Sequence, residues 1–177
     1  ITDNMPNPSI ITFLCLNQNE IDNLNGIEKL ENIETIHINF NYIDKIPPFF
    51  KSLKKLKTFW ICDNSLSVLE NFPIQLQNLW IANNEIEEIP ENFSELINLE
   101  NLNISGNFIS DLKDLYIIGK IKALKRLYLS DINFGENPIC QFNNYRKIMI
   151  HIFNYVDIID QVKLTYKEKS IAEKYFI

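Results

Sequence analysis

Glycine, histidine and cysteine are scarce in this chain, with 4, 2 and 3 copies among 177 residues. The glycines are scattered singly and cannot form the glycine-rich loops that hold phosphate groups. Cys15, Cys62 and Cys140 lie far apart in sequence, which fits neither an even disulfide framework nor a paired zinc site and favours a reducing compartment. His37, Cys62 and Asp63 form at best a loose trio, which is too few ligands for a metal centre. The composition therefore predicts no enzyme, no metal and no cofactor.

Long apolar runs and an excess of positive charge are also missing. No stretch reaches the roughly 18 apolar residues of a membrane span, and no basic, apolar, then small-residue pattern marks a secretory signal. The net charge of −6 opposes the basic field that wide contact with nucleic acid or an anionic membrane requires. We expect no direct nucleic-acid contact and no membrane span. Because the chain begins at Ile1 rather than Met and ends on Phe176 and Ile177, we also expect it to be part of a longer protein.

What the sequence does contain is a repeat of about 22 residues with the pattern LxxLxLxxNxI. Five complete copies place their apolar sites and asparagine at Ile11, Leu14, Leu16, Asn19 and Ile21; Ile33, Ile36, Ile38, Asn41 and Ile43; Leu56, Phe59, Ile61, Asn64 and Leu66; Leu76, Leu79, Ile81, Asn84 and Ile86; and Leu99, Leu102, Ile104, Asn107 and Ile109. A sixth copy begins with Leu124, Leu127 and Leu129 but lacks the asparagine at the expected place. The pattern resembles the leucine-rich-repeat family over about residues 11–160.

The spacing within each copy predicts its local structure. The LxL alternation has the period of two that gives a strand one buried face. After the asparagine the apolar residues are more widely spaced, which favours a short helix or 3₁₀ turn. Since no single copy can bury its own apolar face, the copies must stack. With the resemblance, this implies an α/β leucine-rich-repeat solenoid: a right-handed superhelix with a parallel concave sheet, short helices or 3₁₀ turns on the convex side, and a C-terminal cap helix.

The repeated asparagines are expected to be structural. An amide side chain carries both donors and an acceptor, and it can satisfy backbone groups that turn inward after each strand. We call this column the asparagine ladder; its predicted members are Asn19, Asn41, Asn64, Asn84 and Asn107.

The residues after the sixth repeat predict a cap that covers the end of the core. Asn137 and Pro138 precede helical apolar spacing over 145–153, and Asp160 follows it. This segment resembles the cap of the intracellular subfamily containing the regulatory subunit 7 of protein phosphatase 1, the U2 ribonucleoprotein A-prime protein and outer-arm dynein light chain 1. Its N-P-I-C motif at residues 137–140 is similar to that of the leucine-rich-repeat-containing protein 9 type. We expect an N-terminal edge or upstream remnant at 1–10, six repeats at 11–136, the cap at 137–160, and a terminal helix or the start of a linker at 161–177.

Function is expected on the open face of the sheet, where a repeat scaffold holds its variable residues at fixed positions. Adjacent tryptophans with polar neighbours are typical of interface hot spots; mere covering of the sheet is the alternative. The predicted partner-binding residues are His37, Phe40, Tyr42, Trp60, Asp63, Trp80, Glu85, Asn103, Phe108, Arg126 and Tyr128. Asp63, Glu85 and Asp131 predict a preference for a basic or amphipathic helical partner. Cys15 and Cys62 on this face are candidate reactive thiols.

We interpret the chain as a monomeric, non-catalytic module that binds another protein on its concave face. The resemblance implies three kinds of partner: a phosphatase catalytic subunit, a dynein heavy chain or other axonemal or cytoskeletal protein, and a ribonucleoprotein subunit. The cap favours the cytoskeletal class. The alternative function is a regulatory or targeting domain of a larger multidomain enzyme. The resemblance implies a cytoplasmic location, with association with the cytoskeleton or axoneme and a nuclear location both left open.

Overall fold

Each repeat contributes one short strand to a single parallel sheet. A computed structural model describes residues 7–175 of the chain. The six repeat strands are β1 (Phe13–Cys15), β2 (Thr35–His37), β3 (Thr58–Trp60), β4 (Asn78–Trp80), β5 (Asn101–Asn103) and β6 (Arg126–Tyr128). They pair in exact repeat register, so that His37 lies opposite Trp60 and Trp60 opposite Trp80. Equivalent positions of successive repeats therefore form straight columns across the sheet.

The apolar positions of the pattern form one continuous core behind the sheet. The middle residue of every repeat strand is buried, from Leu14 in β1 to Leu127 in β6. Phenylalanines extend this core toward the far side of the coil, with the rings of Phe50 and Phe59 4.8 Å apart. Each repeat buries its apolar residues only against its neighbours, as stacking of incomplete units requires.

The return path on the convex side uses short helical turns. These are 3₁₀ helices at Ile27–Lys29, Pro48–Ser52 and Glu91–Glu95, and the helix α1 (Leu112–Ile118) in the fifth repeat. Asp111 caps α1, since its side chain accepts a hydrogen bond from the Lys113 amide at 2.8 Å. Within the described residues the third repeat has no helix between β3 and β4.

A left-handed residue precedes each ladder asparagine. Its φ angle lies between 52° and 62° in all five copies, at Gln18, Phe40, Asp63, Asn83 and Gly106. Only the last of these is glycine, so four side chains accept a conformation that L-residues rarely adopt. This turn directs the following asparagine into the coil.

The inner ladder asparagines bond adjacent repeats together. In Asn84, Nδ2 donates to the carbonyl oxygens of Ile61 and Ile81 at 3.0 Å each, and Oδ1 accepts from the Leu66 amide at 2.9 Å. The same arrangement recurs at Asn41, Asn64 and Asn107. Asn19 Nδ2 donates to the carbonyls of Leu16 and Asn17 at 3.0 Å, as the other ladder residues do within their own repeats. It is nevertheless exposed, because no earlier repeat in the described chain covers it.

Asn137 supplies the sixth member of the ladder. Its buried Nδ2 donates to the carbonyls of Ile104 and Leu129 at 2.9 Å, and its Oδ1 accepts from the Ile109 amide at 3.0 Å. The expectation that the sixth repeat lacks this asparagine is therefore wrong. The intervening residues form an antiparallel hairpin of β7 (Ser130–Asp131) and β8 (Gly135–Glu136), which returns the chain to the ladder position.

The C-terminal segment extends the sheet as well as capping it. After a 3₁₀ turn at Pro138–Gln141, the cap contains α2 (Tyr145–Ile152), β9 (Ile158–Ile159), β10 (Val162–Lys163) and α3 (Tyr166–Tyr175). Strand β9 pairs in parallel with β6, and β10 pairs antiparallel with β9; sequence reasoning predicted the helix but neither strand.

Contacts between the cap elements fix the end of the solenoid. Asp160 Oδ1 accepts from the amides of Leu129 and Ser130 at 2.8 and 3.0 Å, while its Oδ2 accepts from the Tyr145 hydroxyl at 2.8 Å. Helix α3 packs on α2, where Arg146 contacts Glu168 at 3.4 Å. No helix in the described part of the chain is both long and apolar enough to cross a membrane.

Candidate protein-binding surfaces

A row of rings crosses the open face of the sheet. His37 stacks on Trp60 with ring centroids 4.1 Å apart and planes 9° apart, and Trp60 stacks on Trp80 at 5.1 Å and 28°. Phe13 meets the His37 ring edge-on at 5.2 Å, and Tyr128 meets Trp80 at 6.3 Å. We call Phe13, His37, Trp60, Trp80 and Tyr128 the aromatic row. His37, Trp60, Trp80 and Tyr128 occupy the same position of their repeats, and in-register strands place that position in one column. Phe13 belongs to the column two residues earlier, opposite Thr35.

A second row of polar side chains runs parallel to the aromatic row. Asn78 Nδ2 donates to Thr58 Oγ1 at 3.0 Å, and Asn101 Nδ2 donates to Asn78 Oδ1 at 2.6 Å. Arg126 Nη1 then donates to Asn101 Oδ1 at 3.0 Å. We call these four residues the polar row. It orients the exposed Arg126 guanidinium and leaves its other N–H groups available to a ligand.

The two rows line a depression of about 270 Å³, which we call the aromatic groove. Of the residues that line it, Arg126 alone carries a charge. Burial lowers the pKa of His37, which favours its neutral form. The Nε1 atom of Trp60 is buried without a hydrogen-bond partner among the described residues. The groove thus has one aromatic wall and one polar wall, and Arg126 is the cation of the polar wall.

Comparison with known proteins identifies the family of this fold. A family model described as "Leucine-rich repeat" matches residues 50–177, which is more than half of the chain. The chain belongs to the leucine-rich-repeat family. The resemblance predicted from the LxxLxLxxNxI pattern is therefore confirmed, as is the solenoid with its parallel sheet, and membership of this family supports the prediction that the chain is not an enzyme.

Several relatives with this repeat share one name. The chain is 32% identical over 117 residues to the U2 small nuclear ribonucleoprotein A′ of Neurospora crassa, covering 64% of this chain and 44% of that protein. It is 31% identical over 166 residues to a probable U2 small nuclear ribonucleoprotein A′ of Caenorhabditis elegans, covering 91% of this chain and 57% of that protein. The chain therefore spans about half the length of these relatives.

A solved structure shows the same fold. The Drosophila melanogaster SNF/U2A′ complex contains a chain with a TM-score of 0.61 to this one and 23% sequence identity. The match covers 92% of this chain and 79% of that chain.

The leucine-rich-repeat scaffold places four of the predicted partner-binding residues together. Trp60, Trp80, Arg126 and Tyr128 all line the aromatic groove, and His37 stacks beside it. These side chains are exposed or half-buried and accessible at the surface.

Asn103 does not face a partner, and its predicted role is wrong. It is fully buried, and its Oδ1 accepts from the Ser105 hydroxyl at 2.6 Å. Its Nδ2 is 3.5 Å from Asp131 Oδ2 in the inserted hairpin, so both ends of the amide face groups of this chain.

The acidic character expected of the groove is not found there. Asp131 is buried and accepts from the Asn133 amide at 2.9 Å, while the half-buried Asp63 accepts from Asn83 Nδ2 at 2.5 Å. Cys62, a candidate reactive thiol, is also buried, and burial raises its pKa to about 12. Cys62 follows Trp60 by two positions and Asp131 follows Tyr128 by three, and both side chains are buried. Sequence reasoning had placed these positions on the open face.

The remaining predicted residues lie at the edge where the strands turn. Phe40, Tyr42, Glu85 and Phe108 are exposed, but none of them lines the aromatic groove. Glu85 and Phe108 line a second, open depression of about 1060 Å³ between the third and fifth repeats. We call it the acidic groove. The predicted single site is therefore split between two surfaces, and Phe40 and Tyr42 line neither of them.

Sequence reasoning missed the role of Thr58, Asn78 and Asn101. They occupy the column two residues before the aromatic row, and their regular spacing was the available signal. Their hydrogen bonds to each other and to Arg126 could not be read from spacing alone. Among the described residues no group of three histidines, cysteines or carboxylates is placed to bind a metal ion.

Proposed function

We propose that this chain is a protein-interaction module whose aromatic groove binds a segment of a protein partner. The observation that carries the proposal is the aromatic row, with its stacked tryptophan pair next to an oriented arginine. Trp, Tyr and Arg are the residue types enriched at binding hot spots, where large rings bury much area with little loss of conformational freedom.

The chemistry of the groove specifies the bound segment. Apolar side chains of the partner cover Trp60 and Trp80, because most of the groove wall is uncharged. A carboxylate of the partner pairs with Arg126, whose guanidinium offers a second, parallel N–H bond. This replaces the basic partner expected for this groove from the sequence, because Asp63 and Asp131 are engaged within the chain.

We further propose that the partner belongs to a ribonucleoprotein particle and that the chain acts in the nucleus. Two relatives are named U2 small nuclear ribonucleoprotein A′, and the similar solved chain is part of a complex with SNF. No relative reported above supports the phosphatase, axonemal or cytoskeletal partners, or the cytoplasmic location. The alternative from the sequence, a regulatory or targeting domain of a larger enzyme, also finds no support in these relatives.

Within such a particle, we propose that this chain contacts protein rather than RNA. Its net charge is −6, and neutralising phosphates requires clustered lysine and arginine. The purified chain should leave the mobility of a U2 RNA hairpin unchanged in a gel-shift assay when its protein partner is absent. A saturable shift by the chain alone would contradict this part of the proposal.

A direct binding assay tests the role of the groove. The SNF counterpart encoded in the same genome is titrated with the wild-type chain and with a Trp60→Ala/Trp80→Ala variant. We expect an affinity loss of about 100-fold or more, because a hot-spot ring contributes about 2 kcal/mol or more and the losses of two adjacent rings add only in part. The matched control is Tyr116→Ala/Phe142→Ala, which removes two exposed rings outside the groove and should change the affinity by less than about twofold.

Two results would contradict the proposal at different points. Equal binding by the wild-type chain and the tryptophan variant, with both folded by circular dichroism, would remove the groove as the binding surface. No binding of the SNF counterpart by the wild-type chain would remove the ribonucleoprotein assignment.

A further inference from the structure

The acidic groove lies outside the aromatic groove, along the edge where the strands end. Four of its carboxylates are exposed, at Glu85, Glu87, Glu88 and Asp111, against one lysine, Lys113. The Lys113 ammonium is 3.9 Å from both Glu88 and Asp111, which is a loose contact for an exposed ion pair. Within the described part of the chain, Glu85 and Glu87 have no ion-pair partner. The groove thus carries a strong local excess of negative charge.

Apolar side chains stand among these carboxylates. Val68 from the third repeat and Phe108 from the fifth both line the acidic groove, and they are 51% and 54% exposed. An apolar wall next to carboxylates fits the structure of lysine and arginine, which carry a charged end on a long apolar stem. The ring of Phe108 also offers a face to a cation.

A buried carboxylate is a second, independent feature of the acidic groove. Asp114 lines the groove and is fully buried, with Oδ1 accepting from the Ile89 amide at 2.9 Å. Its Oδ2 has no hydrogen-bond partner among the described residues. Burying a carboxylate oxygen without a partner costs desolvation free energy, and a cation held in the groove would offset part of that cost. Burial raises the pKa of Asp114, and the nearby Lys113 ammonium lowers it without cancelling the effect of burial.

We propose that the acidic groove binds a lysine- or arginine-rich segment of a protein partner. The sign of the charge decides between classes of ligand, since nucleic acid and anionic membranes would be repelled by the same carboxylates. The surface is separate from the aromatic groove, so the proposal goes beyond the function proposed above and does not depend on it. One chain can then hold two segments at once, an acidic one on the sheet and a basic one at its edge.

A synthetic peptide that alternates lysine with leucine is the probe for this surface. Its affinity is measured by calorimetry for the wild-type chain and for Glu85→Gln/Glu87→Gln/Glu88→Gln. We expect the triple variant to bind about tenfold more weakly, because exposed charge pairs each contribute up to about 1 kcal/mol. Binding to the wild-type chain should also weaken as salt is raised.

Matched variants separate this site from general attraction to an acidic protein. Glu31→Gln/Glu70→Gln/Glu95→Gln removes the same charge from exposed positions outside the acidic groove and should bind the peptide as the wild type does. Trp60→Ala/Trp80→Ala should also bind the lysine peptide with wild-type affinity, so a failure of this proposal can be told apart from a failure of the aromatic groove.

Asp114→Asn tests the buried carboxylate. It keeps an acceptor for the Ile89 amide, so it should weaken peptide binding without lowering the thermal midpoint.

Two outcomes would overturn the proposal. One is equal affinity of the two triple variants for the lysine peptide, which would show that only net charge matters. The other is equally tight binding of a peptide with glutamate in place of lysine.

Discussion

At the scale of single residues, the asparagines carry most of the specificity of the fold. Each inner ladder residue satisfies inward-facing backbone groups of two repeats, so its loss leaves donors and acceptors without partners in a dry interior. Asn84 and Asn19 differ only in their surroundings: the first is buried between repeats and the second is exposed at the edge.

Replacing Asn84 by alanine should therefore cost on the order of 1–3 kcal/mol of unfolding free energy, whereas Asn19→Ala should cost less than about 1 kcal/mol. Urea unfolding followed by circular dichroism measures both. Equal midpoints for the two variants would show that the ladder does not bond one repeat to the next. Asn137→Ala should behave like Asn84→Ala, since its amide makes the same contacts across the hairpin.

The three cysteines should differ in reactivity, because the thiolate is the reactive form. Cys15 is exposed, while burial raises the pKa of Cys62 to about 12 and that of Cys140 to about 11. At pH 8 a disulfide reagent should modify one thiol quickly in the folded chain and the other two only as the fold opens. The assay is Ellman's reaction with and without urea, with Cys15→Ser as the control that removes the fast phase. Three equally fast thiols would contradict the burial of Cys62.

At the scale of elements, the inserted hairpin β7–β8 shows how a repeat absorbs extra residues. Its tip folds back over the turn of the fifth repeat, where a Cβ on Gly106 would collide with the carbonyl oxygen of Phe134. Gly106 and Gly135 both have positive φ angles, of 62° and 87°, but a Cβ on Gly135 would meet no atom within 4 Å.

Comparing Gly106→Ala with Gly135→Ala separates two effects on the free energy of unfolding. One is the collision of a new Cβ with Phe134, and the other is the strain of a positive φ angle in alanine. Gly135→Ala should lose about 1–2 kcal/mol from the left-handed backbone alone. Gly106→Ala should lose clearly more, because the backbone of the hairpin has to move as well. Thermal unfolding of the two variants measures the difference, and equal losses would show that the hairpin does not press on the fifth repeat.

The elements also show where prediction from sequence succeeds. Spacing alone located the six repeat strands and the cap helix, because a period of two and a fixed asparagine leave few alternatives. It did not reveal β9, which pairs with β6 through only two residues, or the return of Asn137 to the ladder after the hairpin. Both depend on contacts between segments distant in sequence.

The candidate site was predictable to a similar degree. The column of Trp60, Trp80 and Tyr128 follows from register, so these residues were identified without the structure. The burial of Asn103 could not be identified, because its amide contacts Ser105 and Asp131, and Asp131 belongs to the inserted hairpin that the repeat pattern does not describe. The separation of Glu85 and Phe108 into another groove depends on the shape of the turns, which the repeat pattern leaves open.

At the scale of the whole molecule, the stacked repeats act as one rigid support for two surfaces of opposite character. The sheet face carries the aromatic groove with one arginine, and the edge carries the acidic groove with four exposed carboxylates. Equivalent residues lie one repeat apart on each surface, so a bound segment contacts several repeats at once. The proposed function follows from this arrangement rather than from any single reactive group.

Tryptophan fluorescence tests the central claim most directly, because both tryptophans of the chain lie in the aromatic groove. Titration with the SNF counterpart should shift their emission to shorter wavelength and saturate at the affinity that calorimetry gives, since binding there excludes water from the indoles. Calorimetric binding with unchanged tryptophan emission would contradict the account and place the partner on another surface.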